Sequence, residues 1–341
     1  MTADFSSVGL RVGHATDRAG ATGVTVIRGD GPFRAAAALL GRATGTRELD
    51  ALSPHHLVDR VDAIVLTGGS AYGLGCADGV MRWMEERGRG FDVRVGVVPI
   101  VPAAVIFDLP VGGWDCRPTA DFGYAACEAA ADGAGGITAV GTVGAGVGAR
   151  AGVLKGGVGM AATTLKTLAP GVTVGAVVAV NSAGDVVDRA TGLPWMADLV
   201  DEFALTPPPA EQIDAFAQMP SPLGPLNTTI AVVATDAALS PAACRRVAIA
   251  AHDGLARTIR PAHTPLDGDT VFALATGAVE VAPGAGSNRM PAAFSPETRL
   301  VTEIGIAAAD CLARAVLVGV LAAESVAGIP TYRDMLPGAF G

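Results

Sequence analysis

The sequence has few charged residues and no run of Lys or Arg. Charged residues make up 17% of its 341 residues and hydrophobic ones 50%, whereas about 25% charged residues is typical of soluble domains. A chain of this length can bury a large core, and its modest share of charge predicts a globular protein that self-associates as a homo-oligomer. The net charge of −9 argues against nucleic acid and anionic membrane as partners and is compatible with amine-bearing substrates.

The patterns that mark disulfide-linked, metal-binding and serine-triad proteins are also missing. The five cysteines are an odd number without a Cys-x-x-Cys pair, so we expect reduced core residues. The five histidines lack metal-binding spacing, and no Ser lies in a nucleophile-elbow motif. The sequence therefore predicts neither a metal nor a cofactor.

No targeting signal or membrane span is indicated. Near the N-terminus, Asp4 stands where a signal peptide needs basic and then apolar residues, which favours a cytoplasmic protein. The most apolar run, residues 304–323, contains Asp310 and Arg314. Its spacing is that of a buried helix, so we do not expect it to cross a membrane.

Strand and helix patterns alternate along the whole chain. An apolar run over residues 62–66 breaks at Thr67-Gly68-Gly69-Ser70-Ala71-Tyr72-Gly73, after which a helix is expected to about Arg87. Other segments repeat both patterns: strands at 93–101, 105–107, 172–180, 185–188 and 270–274, and helices at 120–131, 240–259 and from 295 onward. These patterns predict a mixed α/β (α+β) fold, with Asn181 to Gly184 as a hairpin turn.

The sharpest change along the chain follows the Pro-rich segment 202–227, where an apolar, β-branched run begins at Thr228. One interpretation is that Thr228 opens a buried strand and that the Pro-rich segment is an interdomain linker. A rigid strand would also aim the Thr228 hydroxyl. If the bond between Asn227 and Thr228 is cut, the new α-amine lies beside this hydroxyl and serves as its base. That amine titrates at about 7.7 to 8.0, near working pH, which makes Thr228 a candidate nucleophile.

Two residues elsewhere are candidates to assist such a nucleophile. Lys155 is alone in the apolar, glycine-rich run 151–159, where burial would lower its pKa to a range suited to proton transfer. It could equally be a surface lysine in a loop. Asn181 could donate its amide N–H to a developing oxyanion, or could simply occupy a turn.

Two further motifs have both a functional and a structural interpretation. The Asp267-Gly268-Asp269 sequence could hold the ammonium of Thr228, or could form a hairpin turn. The turn with Gly69, Ser70 and Tyr72 presents backbone N–H groups and a phenol to an anion or a carbonyl oxygen, or only starts a helix.

Glycines are concentrated between Gly135 and Gly159. The run from Gly144 to Ala149 loosely fits a dinucleotide-binding fingerprint, but the acidic residue expected about 20 residues later is missing. We therefore expect these glycines to allow close backbone packing.

Together, these motifs resemble a family of self-processing hydrolases. The family includes L-aminopeptidase/D-Ala-esterase/amidase, the β-peptidyl aminopeptidases and 6-aminohexanoate-oligomer endohydrolase (nylon oligomer hydrolase). The likeness runs through most of the chain and depends on five segments: residues 12–17, 67–74, 180–181, 227–230 and 266–270. Thr after Asn, with Asp-Gly-Asp downstream, is more similar to the nylon-oligomer branch than to the peptidases, which commonly have Ser as nucleophile.

The resemblance implies a single domain, residues 1–341, with a four-layer αββα sandwich like that of N-terminal-nucleophile hydrolases. It implies autocleavage into an α fragment, 1–227, and a β fragment, 228–341, and a homo-oligomer, as a tetramer of such pairs. By match, Thr228 would be the nucleophile. Lys155 and Asn181 would assist attack and stabilise the oxyanion, Asp267 and Asp269 would tether the new amine, and Tyr72 with Gly69 and Ser70 would line the substrate site.

The leading hypothesis is therefore a Thr-nucleophile amide hydrolase that acts on a small peptide or oligoamide through an acyl-enzyme. A second hypothesis is an acyltransferase like the self-cleaving ornithine acetyltransferases, which passes the acyl group to an amine. A third is a non-catalytic glycine-rich ligand-binding protein.

Overall fold

Two β-sheets share one long strand, and helices cover the outer face of each sheet. The computed structural model describes residues 5–53, 56–132, 138–167, 169–220, 227–281 and 293–341. The strands are β1 (Leu10–Asp17), β2 (Thr22–Leu39), β3 (Thr46–Arg47), β4 (Val61–Thr67), β5 (Phe91–Asp92), β6 (Val97–Val98), β7 (Ala103–Val105), β8 (Arg150–Ala151), β9 (Leu154–Lys155), β10 (Val158–Thr164), β11 (Thr173–Ala179), β12 (Ile230–Ala237) and β13 (Thr270–Val279). The α-helices are α1 (Ser70–Gly73), α2 (Cys76–Glu85), α3 (Leu109–Gly112), α4 (Ala120–Asp132), α5 (Ala197–Glu202), α6 (Ala210–Ala217), α7 (Pro241–Thr258), α8 (Thr298–Leu321) and α9 (Tyr332–Met335).

Strand β2 belongs to both sheets. Its first part pairs with β1 and β4, and its last part, from Arg34 to Leu39, pairs with β13. The register shifts between Arg28 and Phe33, where the strand passes from one sheet to the other. The first sheet has the order β1-β2-β4-β7-β3, and the second has β2-β13-β12-β11-β10.

The two sheets and their helices form layers because both faces of each sheet are apolar. Side chains such as Ile27, Val177 and Phe272 fill the space between the two sheets. Helices α2 and α4 pack on the outside of the first sheet, and α7 and α8 pack on the outside of the second. Because both faces are covered, all eight residues of β12 are buried, as expected for a continuous apolar strand. The predicted αββα sandwich is confirmed.

Helix α8 is the core helix predicted from the apolar run. By length and composition it is the one helix among the described residues that could cross a membrane, but 72% of its apolar window is buried inside the fold. The buried side, with Ile304, Cys311, Leu312 and Val316, packs on α7 and the second sheet.

Several local predictions need correction. The strand predicted at 93–101 is reduced to β6, and the return strand at 185–188 does not form. Asp185 and Val187 instead make isolated bridges to Arg260 and Pro194, because the chain leaves the sheet after β11 and β11 pairs with β10 and β12.

Two helix and strand boundaries also differ. Ser240 caps α7 as predicted by accepting a hydrogen bond from the Ala243 N–H, whereas α8 begins at Thr298 rather than directly after Ser295. Strand β12 begins at Ile230, two residues later than predicted. Within the Pro-rich segment, α6 forms immediately after Pro209, and residues 221–226 lie outside the described residues.

The glycines between Gly135 and Gly159 that the structure describes allow close packing, as predicted. A Cβ on Gly159 in β10 would lie 1.8 Å from the Ala315 carbonyl oxygen in α8, and one on Gly146 would lie 2.3 Å from the Val158 nitrogen. Backbone at these distances cannot make room for a methyl group without moving an element.

We expect Gly159→Ala to lower the free energy of unfolding by about 2 kcal/mol or more, because the methyl group pushes α8 off β10. Gly31→Ala is a matched control, since nothing lies within 4 Å of a Cβ built there. Its effect should stay within about 0.5 kcal/mol. Urea unfolding measures the free energy of unfolding of both variants. Equal losses would contradict the close contact between α8 and β10.

Candidate active site

Three strand ends meet at one edge of the second sheet. Strands β12 and β13 are parallel, with Ile230 opposite Thr270, so their first residues lie side by side. Strand β11 runs antiparallel to β12 with Ala179 opposite Ile230, so its last residue lies at the same edge. This topology brings together three segments that the sequence separates: Asn181, Thr228 and the loop from Asp267 to Asp269.

Thr228 is buried at this edge, with 4% of its surface exposed. Its backbone N–H donates to the Asn181 carbonyl oxygen at 2.6 Å. Its hydroxyl Oγ1 donates to the carbonyl oxygen of Asn227 at 2.5 Å. The Gly268 N–H donates to that same oxygen at 3.0 Å. The carbonyl between Asn227 and Thr228 is therefore held by a backbone donor while the neighbouring hydroxyl lies against it.

Position 268 also requires glycine because a side chain there would have no room. A Cβ at Gly268 would lie 2.9 Å from Thr228 Oγ1 and 2.5 Å from the Ala43 carbonyl oxygen. The segment that contains Ala43 supports the loop, because the Arg42 and Ala43 N–H groups donate to the Asp267 carbonyl oxygen at 2.8 and 2.9 Å. The loop thus has a fixed position beside the hydroxyl.

The two carboxylates belong to the loop beside Thr228, and among the described residues neither forms a hydrogen bond with the Thr228 nitrogen. Asp267 accepts hydrogen bonds from the Ala183 N–H at 3.1 Å and from the Thr264 hydroxyl at 2.6 Å. Asp269 accepts one from the Thr229 N–H at 2.9 Å. Both are buried, and burial raises the pKa of Asp267 above its usual range while the Thr264 hydroxyl opposes that rise. Asp269 therefore binds the residue that follows Thr228, whereas Asp267 lies in the same loop and binds Ala183 and Thr264.

Asn181 lies at the centre of the site. Its backbone carbonyl holds Thr228, and its side-chain oxygen accepts a hydrogen bond from the Arg150 N–H at 3.0 Å. Its amide nitrogen donates to the Phe107 carbonyl oxygen at 3.4 Å, a long contact. The side chain is buried, and at least one of its two N–H protons is left for another acceptor.

Lys155 is completely buried, but its ammonium does not reach Thr228. The Nζ atom donates to the carbonyl oxygens of Gly146, Ala149 and Gly156 at 2.8, 3.0 and 2.8 Å. These three bonds use all the protons of an ammonium group. Burial lowers the pKa of Lys155 to about 7, and the charge of Asp108 opposes this by raising it. The amine thus fixes the glycine-rich loop behind Asn181.

Asp108 was not anticipated from the sequence. It is buried, and it accepts hydrogen bonds from the Gly69 N–H and the Thr22 hydroxyl, both at 2.7 Å. Burial raises its pKa to about 6, and the Gly69 N–H opposes that rise. The Ser70 N–H is also occupied, because it donates to the Ile106 carbonyl oxygen at 3.0 Å. The Gly69 N–H is thus bound to the chain's own carboxylate and the Ser70 N–H to a backbone carbonyl, as a helix-starting turn would have them, and a substrate-binding role for this turn stays a prediction.

Tyr72 lies on the surface, with 56% of its area exposed. The guanidinium carbon of Arg117 is 3.6 Å from the centre of its ring. Among the described residues, no hydrogen bond links Tyr72 to Thr228, so its predicted place in a substrate site stays a prediction.

His263 is the second residue that the sequence did not reveal. Its Nδ1 atom lies 2.7 Å from Oδ2 of Asp269. Asp269 follows His263 by only six positions in the sequence. The histidines lack metal-binding spacing, and the signal in the sequence for His263 is a His followed within six positions by the two acids Asp267 and Asp269. In the described part of the chain, no group of three or more His, Cys, Asp or Glu could hold a metal ion.

Other features lie apart from this edge. A groove of about 490 Å³ runs between α7 and α8 and includes none of the predicted site residues. The run from Gly144 to Ala149 is buried. A Cβ on Gly148 would lie 2.2 Å from the Ala21 carbonyl oxygen, so this run packs against neighbouring backbone, as the packing interpretation expects.

The αββα layers with a buried hydroxyl nucleophile candidate at a sheet edge define the class of N-terminal-nucleophile hydrolase folds. L-aminopeptidase D-Ala-esterase/amidase from Ochrobactrum anthropi, described as a variant of the Ntn hydrolase fold, has a similar structure. Its TM-score is 0.70 at 22% sequence identity, over 98% of this chain and 89% of that one.

Within this class, the profile of peptidase family S58 matches residues 7–333, so the chain belongs to peptidase family S58. An uncharacterized aminopeptidase of Mycobacterium tuberculosis is 68% identical over 98% of this chain and 97% of that protein. The 6-aminohexanoate-oligomer endohydrolase of Kocuria sp. is 32% identical over 84% of this chain and 79% of that protein. The predicted resemblance and the prediction of an amide hydrolase are confirmed, and the non-catalytic alternative is not supported.

The buried amine of Lys155 gives a direct test of the site's electrostatics. The chain has two lysines, Lys155 and Lys166, so ¹³C-lysine NMR gives two signals that Lys166→Arg assigns. We expect Lys155 to lose its proton as the pH rises through about 7. Asp108→Asn should move this midpoint to lower pH, because the carboxylate charge favours the ammonium form. A Lys155 midpoint near the ordinary value of about 10.4 would contradict the structure.

Proposed function

We propose that the chain cuts itself between Asn227 and Thr228 and that the mature protein uses Thr228 to hydrolyse amide bonds. One observation carries the proposal: the Thr228 hydroxyl lies 2.5 Å from the Asn227 carbonyl oxygen, which also receives the Gly268 N–H. A nucleophile, the carbonyl it attacks and a donor for the resulting oxyanion are thus already assembled within one chain.

In the first step, Thr228 Oγ1 attacks the carbonyl carbon of Asn227. The carbonyl oxygen becomes negatively charged, and the Gly268 N–H stabilises it. The C–N bond then breaks, and the hydroxyl proton is transferred to the leaving nitrogen, which leaves an ester between Asn227 and Thr228. The α-amine of Thr228 is free once this bond has broken, and water then hydrolyses the ester to the Asn227 carboxylate and the Thr228 hydroxyl.

In the second stage, the freed amine lies beside Oγ1 and acts as its general base. The hydroxyl attacks a substrate amide, the amine product leaves, and water clears the acyl-enzyme. The buried carboxylates of Asp267 and Asp269, in the loop that meets Thr228 at Gly268, supply the negative charge that holds the new ammonium in place. One amide N–H of Asn181 has no acceptor among the residues that the structure describes, and it would donate to the substrate oxyanion.

The substrate class that fits this proposal is a small peptide or oligoamide. The Mycobacterium tuberculosis relative is named an aminopeptidase, and the Kocuria relative acts on 6-aminohexanoate oligomers; both activities cleave amide bonds. The net charge of −9 favours substrates with a free amine. The homo-oligomer of fragment pairs and the cytoplasmic location stay predictions, as does a proton-transfer role for Lys155.

We expect Thr228→Ala to leave a single full-length band on a denaturing gel, because the methyl group cannot attack Asn227. Thr228→Ser should still divide into fragments 1–227 and 228–341, since it keeps the hydroxyl. Both proteins are then assayed on an aminoacyl amide and a 6-aminohexanoate oligomer, where only the Ser variant should release product.

The Ser variant controls for folding, because it differs from Thr228→Ala by one oxygen. Cleavage of Thr228→Ala at the same bond would refute self-cleavage by this residue.

Asn181→Asp separates the two stages of the reaction. The backbone carbonyl that holds Thr228 and the side-chain oxygen that meets Arg150 are kept, so fragments should still appear. Turnover of substrate should fall by about 100-fold to 1000-fold, because the donor to the oxyanion is lost. The measurement is kcat for the cut variant, and a kcat within about tenfold of the unmodified enzyme would contradict the role of Asn181.

A further inference from the structure

The carboxylate of Asp269 links the nucleophile segment to a histidine. One oxygen, Oδ1, accepts the Thr229 N–H at 2.9 Å. The other, Oδ2, accepts the His263 backbone N–H at 3.1 Å and lies 2.7 Å from His263 Nδ1. Because a carboxylate oxygen is the acceptor, Nδ1 carries the proton. A single buried side chain therefore fixes Thr229 on one side and is itself fixed by His263 on the other.

His263 makes this contact from a left-handed backbone conformation. Its φ angle is +56°, in a region where Asn, Asp and His are the commonest residues after Gly. Its ring meets the His252 ring edge-on, with centroids 4.9 Å apart and planes at 74°. Burial lowers the pKa of His252 to about 4, so this neighbour is neutral near pH 7. The ring of His263 is thus held between a carboxylate and a neutral ring.

We propose that His263 is a positioning residue for the self-cleavage step and that it acts through Asp269. By fixing the carboxylate that holds the Thr229 N–H, it sets the direction in which the Thr228 hydroxyl meets the Asn227 carbonyl. It also fixes Gly268, which precedes Asp269 and donates its backbone N–H to the Asn227 carbonyl. This proposal rests on the proposed function, because it assumes that Thr228 cuts the chain.

The alternative is that His263 only supports the loop. The loop has a separate anchor, since Asp267 Oδ2 accepts both the Thr264 hydroxyl at 2.6 Å and the Thr264 N–H at 3.1 Å. The backbone N–H of His263 also stays bonded to Asp269 when the side chain is changed. Loss of the imidazole should therefore affect the direction of the hydroxyl more than the fold of the loop.

Three substitutions separate these roles. His263→Asn places an amide N–H close to the position of Nδ1 and tolerates a positive φ. His263→Gly tolerates the same φ but has no donor. His263→Ala lacks the donor and strains the backbone. Each is translated as the full chain, and the appearance of fragments is followed on a denaturing gel. Thermal unfolding of each change in the Thr228→Ala background confirms that the uncut protein is folded.

We expect His263→Asn to cut within about threefold of the wild-type rate, because the hydrogen bond to Asp269 is retained. His263→Gly should cut at least about tenfold more slowly while remaining folded, since a bond to a charged acceptor is lost. Adding His263→Gly to Asp269→Asn should change the rate by less than about twofold, because residues that act through one contact are not additive.

Each contrary result has a distinct meaning. A folded Gly variant that cuts within about threefold of the wild type would refute the positioning role, as would an Asn variant as slow as the Gly variant. Fully additive effects of His263→Gly and Asp269→Asn would refute action through Asp269. An uncut wild-type chain would overturn self-cleavage itself, and this proposal with it.

Discussion

The structure depends on the way the Asn227 carbonyl is held between the Thr228 hydroxyl and the Gly268 N–H. The first contact joins neighbouring residues, whereas the second requires β12 and β13 to run parallel with their first residues aligned. The bridge between Asn227 and Asp267 extends that parallel register beyond the strands, so the two segments remain adjacent where the ladder proper has ended. A hairpin between the same two strands would place their first residues at opposite ends of the sheet. The site is therefore a consequence of strand direction.

The surrounding layers make this edge rigid. Strand β12 is buried on both faces, between β11 and β13 and beneath α8, so the residues just before it have little freedom. Small side chains let the two helices over this sheet approach closely, as at Gly254 of α7, where a Cβ would lie 2.3 Å from the Ala309 carbonyl oxygen of α8. Rigid backbone is what allows a hydroxyl and a carbonyl to be kept in contact before any reaction occurs.

Much of the fold and part of the site could be predicted from the sequence. The boundary between an apolar strand and polar residues can be recognised from the sequence alone, and three site residues lie at such a boundary: Thr228, Asn181 and Asp267. The parallel pairing was not visible, because it joins segments 40 residues apart, as between Thr229 and Asp269. Asp108 was missed for the same reason, since its partner Gly69 is 39 residues away. For Lys155 the sequence left a buried amine and a surface loop lysine equally open, and the three carbonyls around its amine are positioned only by the folded glycine-rich loop.

The central claim is that the chain breaks its own bond after Asn227. The intact mass of freshly purified protein tests it most directly, without substrate or substitution. Self-cleavage predicts two species whose sequences meet at Asn227 and Thr228, with the second beginning at a free Thr228 amine. A single species at the full mass of 34.0 kDa, in a preparation that hydrolyses amides, would contradict it.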